Sequence, residues 1–221
     1  MPRLLALDTS SEACSIALLD GDVCNEHYVE APREQMLRVL PMVDALLAEH
    51  ALTLRNIDAI AFTRGPGSFT GLRIGMGVVQ GLAFGADLPV IPVSTLAALA
   101  QTSAAQHGVG THILSAIDAR MDEVYWGWYR ISVQGLVEAI GTEQLSAPEA
   151  VARGDGAAVR IGVGSGWQYR PRIADAGFAT IDAALLPHAA AVLQLALPIW
   201  HAGGAVAVEQ VQPVYLREKV V

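Results

Sequence analysis

The segment Arg64–Gly75, RGPGSFTGLRIG, decides the fold together with its two flanks. An apolar run, IDAIAF, precedes it, and a longer one, MGVVQGLAF, follows it. This arrangement predicts a buried strand over residues 57–63, a glycine-rich turn, and a helix over residues 70–86. Because a glycine-rich turn between a strand and a helix often binds phosphate, that interpretation is tested first.

Neither standard phosphate-binding loop fits the segment. The Walker pattern needs a lysine after its second glycine, but Leu72 follows Gly71. The dinucleotide pattern needs a third glycine where Thr70 stands. The N–H groups at the helix start still suit a carboxylate or phosphate, although Ser68 or Thr70 can equally be a simple helix cap. The residues assigned to this weak anion site are Asp8, Thr9, Ser10, Ser68 and Thr70.

The remaining glycines favour close packing rather than ligand binding. Five glycines and three apolar residues share one side of the predicted helix, and the glycines fall within an arc of about 160°. Each glycine costs the helix roughly 1 kcal/mol relative to alanine, so a compensating contact is expected. That contact is either with the chain's own sheet or with a helix of a second molecule. These residues are Gly71, Ile74, Gly75, Gly77, Val78, Gly81, Leu82 and Gly85.

The predicted helix over residues 33–49 has an apolar stripe and few polar positions on its back. A helix that covers only one side of a sheet should keep a polar outer face. We therefore expect its outer side to contact another protein, the alternative being a helix enclosed within its own fold. The predicted partner interface comprises Met36, Leu40, Val43, Leu47, Gly71, Ile74, Gly75, Val78, Gly81 and Leu82.

The order of elements predicts a mixed sheet. A strand over residues 3–8 and a hairpin over residues 14–20 and 22–29 lead into alternating strands and helices. With the turn at Asp20-Gly21, the hairpin leaves the two cysteines unopposed, so no disulfide is expected. In the second half, two strands surround the turn RMD, a short helix covers residues 146–153, and a helix over 187–202 breaks at Pro198.

The layout indicates two lobes. Residues 1–105 form an N-terminal lobe that binds the partner, and residues 106–221 form a reduced C-terminal lobe. The chain has 221 residues, of which 52% are hydrophobic, and no apolar run approaches the roughly 20 residues of a membrane span. We therefore expect a cytoplasmic protein that buries apolar surface against a partner. The net charge of −8 argues against binding nucleic acid alone, because phosphate affinity depends on clustered Lys and Arg.

No catalytic or metal-binding set emerges from residue spacing. The six histidines include no pair with HxxxH spacing, which argues against a metalloprotease. Asp8 closes the first strand, where actin-like ATPases and sugar kinases place an aspartate near the metal-bound phosphate. Those enzymes need a second turn rich in Asp and Gly, whereas here Ala119 and Arg120 follow Asp118. A small-molecule kinase of this superfamily remains the alternative function.

Five stretches carry a resemblance to a known family. They are LLALDTSSEACSIALL, RGPGSFTGLRIG, GLAFGADLPVIPVSTLAALA, DARMDEVYW and QPVYLR, and they run from residue 2 to about residue 217. These stretches resemble the TsaB family, also called YeaZ. The resemblance implies an α/β actin/Hsp70/sugar-kinase-like (ASKHA) fold, in which two lobes have mixed sheets and the second lobe is reduced.

The resemblance also implies a function. The family works in the bacterial pathway that forms N6-threonylcarbamoyladenosine at position 37 of tRNAs reading codons that begin with adenine. TsaC makes threonylcarbamoyl-adenylate, and TsaD, assisted by TsaB and the ATPase TsaE, transfers the threonylcarbamoyl group to the adenine N6. We therefore expect a subunit that pairs with TsaD, joins TsaE in a ternary complex, forms a homodimer when alone, and meets tRNA only through the complex.

The resemblance implies that this subunit is not itself catalytic. TsaD has an HxxxH metal motif, and alignment through VSTLAAL places Thr95 and Leu99 at the two histidine positions. Neither side chain can replace an imidazole ligand. No cofactor is expected to be required, and only a weak nucleotide or anion site stays open. The family's first helix often begins with His followed by Ser or Thr, where this chain has Gln35 and Met36, which leaves the histidine's polar contact in doubt.

Overall fold

The computed structural model describes residues 1–154, 158–173, 177–214 and 216–217. The strands are β1 (Arg3–Asp8), β2 (Ala13–Asp20), β3 (Val23–Glu30), β4 (Ala59–Thr63), β5 (Val90–Val93), β6 (His112–Arg120), β7 (Glu123–Ile131), β8 (Val137–Ser146), β9 (Arg160–Val163) and β10 (Phe178–Asp182). The α-helices are α1 (Gln35–Glu49), α2 (Phe69–Ala86), α3 (Thr95–Ala104) and α4 (Ala189–His201).

The first sheet has the predicted mixed topology. Its strand order is β3-β2-β1-β4-β5, with β1, β2 and β3 antiparallel and β4 and β5 parallel to β1. Every residue of β4 is buried, as expected for a strand covered on both faces. Helices α1 and α2 pack on one face through side chains such as Val39, Val43 and Val79. The other face packs against α4 through Val192 and Leu193.

The second sheet repeats the topology of the first. Its order is β10-β9-β6-β7-β8, so β6, β7 and β8 form the antiparallel part and β9 and β10 run parallel to β6. Helix α3 packs against one face of this sheet through Leu96 and Leu99. The duplicated order confirms the predicted α/β actin/Hsp70/sugar-kinase-like fold, with two mixed sheets and a second lobe that has fewer helices.

Helix α4 follows the second sheet in the chain but packs on the first one. Its Ala189, Val192 and Ala196 lie in the same core as Leu4 and Ala6 of β1. The division at residues 105 and 106 stays a proposal, because residues on its far side complete the first lobe's core. None of the described helices is both long and apolar enough to cross a membrane.

Several local predictions were wrong. The hairpin turn is Gly21-Asp22, because Asp20 pairs with Val23 and Gly21 adopts a φ of 64°. The predicted helix over 146–153 is one 3-10 turn, Pro148–Ala150, and α4 continues through Pro198. Strands β8 and β10 were not predicted, because most of their residues are exposed and neither shows clear apolar alternation. The cysteines are free, as predicted.

Candidate functional site

The glycine-rich loop lies where three segments of the chain meet. A Cβ atom on Gly67 would lie 2.6 Å from the Ser10 carbonyl oxygen, and the Ser68 N–H donates to that same oxygen at 2.8 Å. A Cβ atom on Gly65, which has a φ of 109°, would lie 2.7 Å from the Val214 carbonyl oxygen. These two glycines therefore admit backbone from the β1–β2 loop and from the C-terminal segment.

The first two helix glycines face the chain itself rather than a partner. A Cβ atom on Gly71 would overlap the Thr9 carbonyl oxygen, and one on Gly75 would lie 2.5 Å from Thr9 Oγ1. Thr9 Oγ1 donates to the Gly71 carbonyl oxygen at 2.8 Å. The assignment of Gly71 and Gly75 to the partner interface was therefore wrong, because the end of β1 occupies the space beside them.

The last three glycines of α2, which are Gly77, Gly81 and Gly85, face open space. No described atom lies within 4 Å of a Cβ atom built on any of them. Large apolar side chains on α1 and α2 are also strongly exposed, with Leu37 at 73% and Phe84 at 77%. We call this surface the outer apolar face. It consists of Met36, Leu37, Leu40, Gly77, Gly81, Phe84 and Gly85.

On α1, the outer apolar face is rotated around the helix relative to the predicted interface. Val43 and Leu47 were assigned to the partner but lie in the chain's own core, because the buried side of α1 follows Val39, Val43 and Leu46. The apolar character of α1 nearly all round hid this rotation from sequence analysis. Leu37 was missed for that reason.

Of the other six predicted interface positions, three lie on the outer apolar face and three are half-buried. Met36 is 68% exposed and Leu40 is 45% exposed, and Gly81 is open. Ile74, Val78 and Leu82 are half-buried and pack against the first core. Whether a partner covers them stays a proposal.

The predicted anion-site residues lie together at the start of α2. Asp8, Thr9 and Ser10 are buried, while Ser68 and Thr70 are exposed. The Ser68 side chain caps the helix by accepting the Gly71 N–H at 3.3 Å. Since the Ser10 carbonyl already accepts the Ser68 N–H, an incoming anion would compete with the chain's own backbone. Anion binding here stays a prediction.

Asp8 is a fully buried carboxyl group. Its Oδ1 accepts hydrogen bonds from Ser10 Oγ at 2.6 Å and from Thr63 Oγ1 at 2.5 Å. Its Oδ2 has no hydrogen-bond partner among the described residues. Burial raises the pKa of Asp8, and the hydrogen bonds from Ser10 and Thr63 offset only part of that effect.

A polar cluster anchors the start of α4 on β2 and β3. Glu26 accepts hydrogen bonds from Ser15 Oγ at 2.6 Å and from the Ala190 N–H at 3.1 Å, and it pairs with His188 Nδ1 at 2.9 Å. The Tyr28 ring stacks on the His188 ring, with centroids 4.3 Å apart. Burial alone raises the pKa of Glu26, but the bonds from His188, Ser15 and Ala190 together lower it, and the bond to Glu26 raises the pKa of His188.

The positions aligned with a metal motif lie inside the protein. Thr95 is 0% exposed and Leu99 is 1% exposed. Over the described ranges, no group of three or more His, Cys, Asp or Glu side chains is arranged to hold a metal ion. Gln35, where the family often has histidine, donates from Nε2 to the Ser11 carbonyl oxygen at 2.9 Å. The Gln35 side chain therefore supplies a polar contact at this position.

Comparisons with known proteins give a consistent result. Residues 29–193 match the family described as "TsaD: tRNA N6-adenosine threonylcarbamoyltransferase". The chain is 44% identical to the "tRNA threonylcarbamoyladenosine biosynthesis protein TsaB" of Escherichia coli (strain K12), over 99% of this chain and 96% of that protein. It is 41% identical to the protein of the same name from Haemophilus influenzae, over 98% of this chain and 94% of that protein.

Solved structures agree with these relatives. The chain is similar to "YeaZ from Pseudomonas aeruginosa", with 50% identity and a TM-score of 0.93 over 98% of this chain and 100% of that one. A second Pseudomonas aeruginosa structure, described as similar to peptidase YEAZ, has 50% identity and a TM-score of 0.94 over the same shares of both chains.

Proposed function

The chain belongs to the TsaB (YeaZ) family, and from this membership we propose that it is a non-catalytic partner subunit of TsaD. Its role lies in tRNA threonylcarbamoyladenosine biosynthesis. Within that role, it supports transfer of threonylcarbamoyl from threonylcarbamoyl-adenylate to N6 of the adenine at position 37, in tRNAs reading codons that begin with adenine. TsaE joins the pair in a ternary complex, and the chain forms a homodimer when TsaD is absent.

The observation that carries this proposal is the outer apolar face. Large exposed apolar surface on a soluble protein commonly marks an interaction site. Leu37 on α1 and Phe84 on α2 are both more than 70% exposed, and the open glycines of α2 let a partner's backbone approach closely. A helical partner surface fits such a face better than a small ligand does.

A non-catalytic role is supported by the character of the buried positions Thr95 and Leu99. A methyl-bearing hydroxyl and an aliphatic chain occupy positions where, by the family resemblance, TsaD carries imidazoles. Leu99 packs in the second core, and Thr95 begins α3 directly after its cap Ser94. Leu99 therefore serves packing and Thr95 lies buried at the start of α3, and we assign the transfer chemistry to the partner.

The experiment is a binding measurement between this chain and TsaD by size exclusion and calorimetry. Leu37→Glu and Phe84→Glu place a charge on the outer apolar face and leave the core untouched. Buried apolar anchors at interfaces commonly contribute about 2 kcal/mol or more, so affinity should fall at least roughly 30-fold. Val133→Glu is the matched control, because Val133 is 79% exposed and lies in the second lobe.

A transfer assay completes the test. With threonylcarbamoyl-adenylate, TsaE, ATP and tRNA present, product should form only when both this chain and TsaD are added, and the two face variants should lose that activity. Transfer by this chain without TsaD would overturn the non-catalytic role. Unchanged affinity and transfer in both face variants would overturn the proposed interface while leaving family membership intact.

A further inference from the structure

The C-terminal segment crosses from the first lobe to the second. Val206 pairs with Val90 at the free edge of β5, and Val208 and Val211 are buried in the core beneath α2. The Val214 N–H then donates to the Arg64 carbonyl oxygen at 2.9 Å. We call this segment, residues 206–214 with 216 and 217, the C-terminal strap.

The strap ends at the turn between β6 and β7 in the second lobe. The Arg217 guanidinium donates to the Ala119 carbonyl oxygen at 3.2 Å and pairs with Glu123. The Arg217 side chain is 15% exposed and that of Glu123 is 36% exposed, so the ion pair is partly shielded from water and salt. An arginine hydrogen-bonded both to a carboxylate and to a backbone carbonyl is a strong and geometrically specific anchor.

The turn that Arg217 holds has an unfavourable backbone. Arg120, Met121 and Asp122 have φ values of 62°, 54° and 65°, and none of them is glycine. Residues other than glycine, asparagine and aspartate rarely adopt this left-handed backbone conformation. Where they do, surrounding contacts hold the backbone in place. Arg172 holds the turn from a second direction through both oxygens of Asp122.

We propose that the C-terminal strap latches this turn to the first lobe. Among the residues that the structure describes, the chain otherwise passes between the two sheets at residues 94–111 and 183–188. A third crossing at the far end of the strap restrains the second lobe at the point where its backbone is strained. Arg217 attaches the strap to the turn in the second lobe. Gly65 is the contact point of the strap in the first lobe, because only glycine leaves room there for the Val214 carbonyl.

Limited trypsin digestion tests the latch directly. The bond after Arg120 lies in the turn, and the Arg120 side chain is 82% exposed, so cleavage there reports local opening of the turn. Arg217→Ala should raise the cleavage rate at this bond by roughly tenfold or more, while the rates after Arg38 and Arg55 in the first lobe stay unchanged. Fragment masses identify each cleaved bond.

Two further variants distinguish loss of the latch from general unfolding. Glu123→Gln removes the ion pair but keeps the carbonyl contacts, so its effect should be smaller than that of Arg217→Ala. Glu138→Gln breaks the exposed Arg130–Glu138 pair in the same sheet and should leave the rate at wild-type level. Faster cleavage at every site, or no change in Arg217→Ala, would overturn the latch.

The opposite end of the strap gives the decisive comparison. Gly65→Ala displaces Val214, crowds Leu72 and strains a φ of 109°, whereas Gly67→Ala, in the same loop, displaces Ser10 and not the strap. The latch predicts that Gly65→Ala speeds cleavage after Arg120, in the other lobe, several-fold more than Gly67→Ala does. Equal cleavage rates in the two variants would show that loop disturbance, not the strap, controls the turn.

Discussion

Gly71 and Gly77 belong to one helix but have opposite surroundings. Gly71 is buried against Thr9, whereas the space beside Gly77 is open. The same residue type therefore serves packing at one position and surface shape at the other. Sequence alone could place both on one arc of α2, but it could not tell which end of that arc the chain itself covers.

The two glycines make a matched pair for a stability measurement. Gly71→Ala forces Thr9 or α2 to move and should lower the free energy of unfolding by about 1–3 kcal/mol. Gly77→Ala meets no neighbour and should raise it by up to about 1 kcal/mol, because alanine is the better helix former. Urea unfolding at low protein concentration would measure both. A loss of similar size in the two variants would contradict the packing assigned to Thr9.

At the scale of elements, the start of α4 is held by groups from β2 and β3. Glu26 places a carboxylate beside the positive end of the helix, and the Ser15 hydroxyl accepts the Ala189 N–H at 2.9 Å. His188 adds an ion pair to the same carboxylate. This cluster joins the C-terminal half of the chain to the first sheet. Glu26 and His188 are 162 residues apart in sequence, and Ser15 and Ala189 are 174 residues apart.

The His188–Glu26 pair predicts a pH dependence of stability. The pKa of His188 is raised, so its stabilisation is complete below its ordinary value of 6.5 and is lost as pH rises through the folded-state pKa. The pKa of Glu26 is lowered, so its contribution persists above its ordinary value of 4.5. The cluster is therefore most stabilising between these two values.

His188→Asn should accordingly cost more free energy of unfolding at pH 5.5 than at pH 8.5. His27→Asn is the control, because His27 pairs with the mainly exposed Glu49 and a surface pair contributes little. Urea titrations of the three proteins at both pH values give the comparison. A cost for His188→Asn that is the same at pH 5.5 and pH 8.5 would show that the ion pair adds nothing.

At the scale of the whole molecule, charge limits what the chain can bind alone. The net charge is −8, with 14 basic and 22 acidic residues. Several arginines are already paired, among them Arg3, Arg38 and Arg172. Long-range steering of a polyanion toward this protein is therefore unfavourable.

We predict that the isolated chain binds tRNA weakly at physiological salt, and that affinity appears when TsaD is added. Filter binding of labelled tRNA to each protein and to the mixture would measure this. Repeating the titration at several salt concentrations gives the number of phosphate contacts contributed by the complex. Tight, tRNA-selective binding by this chain alone would refute the prediction.

The sequence by itself determined the elements whose signal is local. The apolar strands β1 and β4, the glycine-rich turn and α2 follow from residue type and spacing, because burial on both faces requires a continuous apolar run. Residue type narrowed the helix cap to Ser68 or Thr70, and the structure identifies it as Ser68, whose side-chain oxygen accepts a free N–H. The motifs around them were specific enough to indicate the family.

Only the tertiary structure decided the features that depend on distant segments. Three such features each join residues far apart in sequence. They are the contact of Thr9 with Gly71, the anchoring of α4 by Glu26, and the strap, which pairs with Val90 at one end and contacts the β6–β7 turn through Arg217 at the other. The rotation of α1 belongs here too, because a helix that is apolar nearly all round has no strong preference for which side it buries. Sheet position and neighbouring segments fix that side, and residue spacing does not encode them.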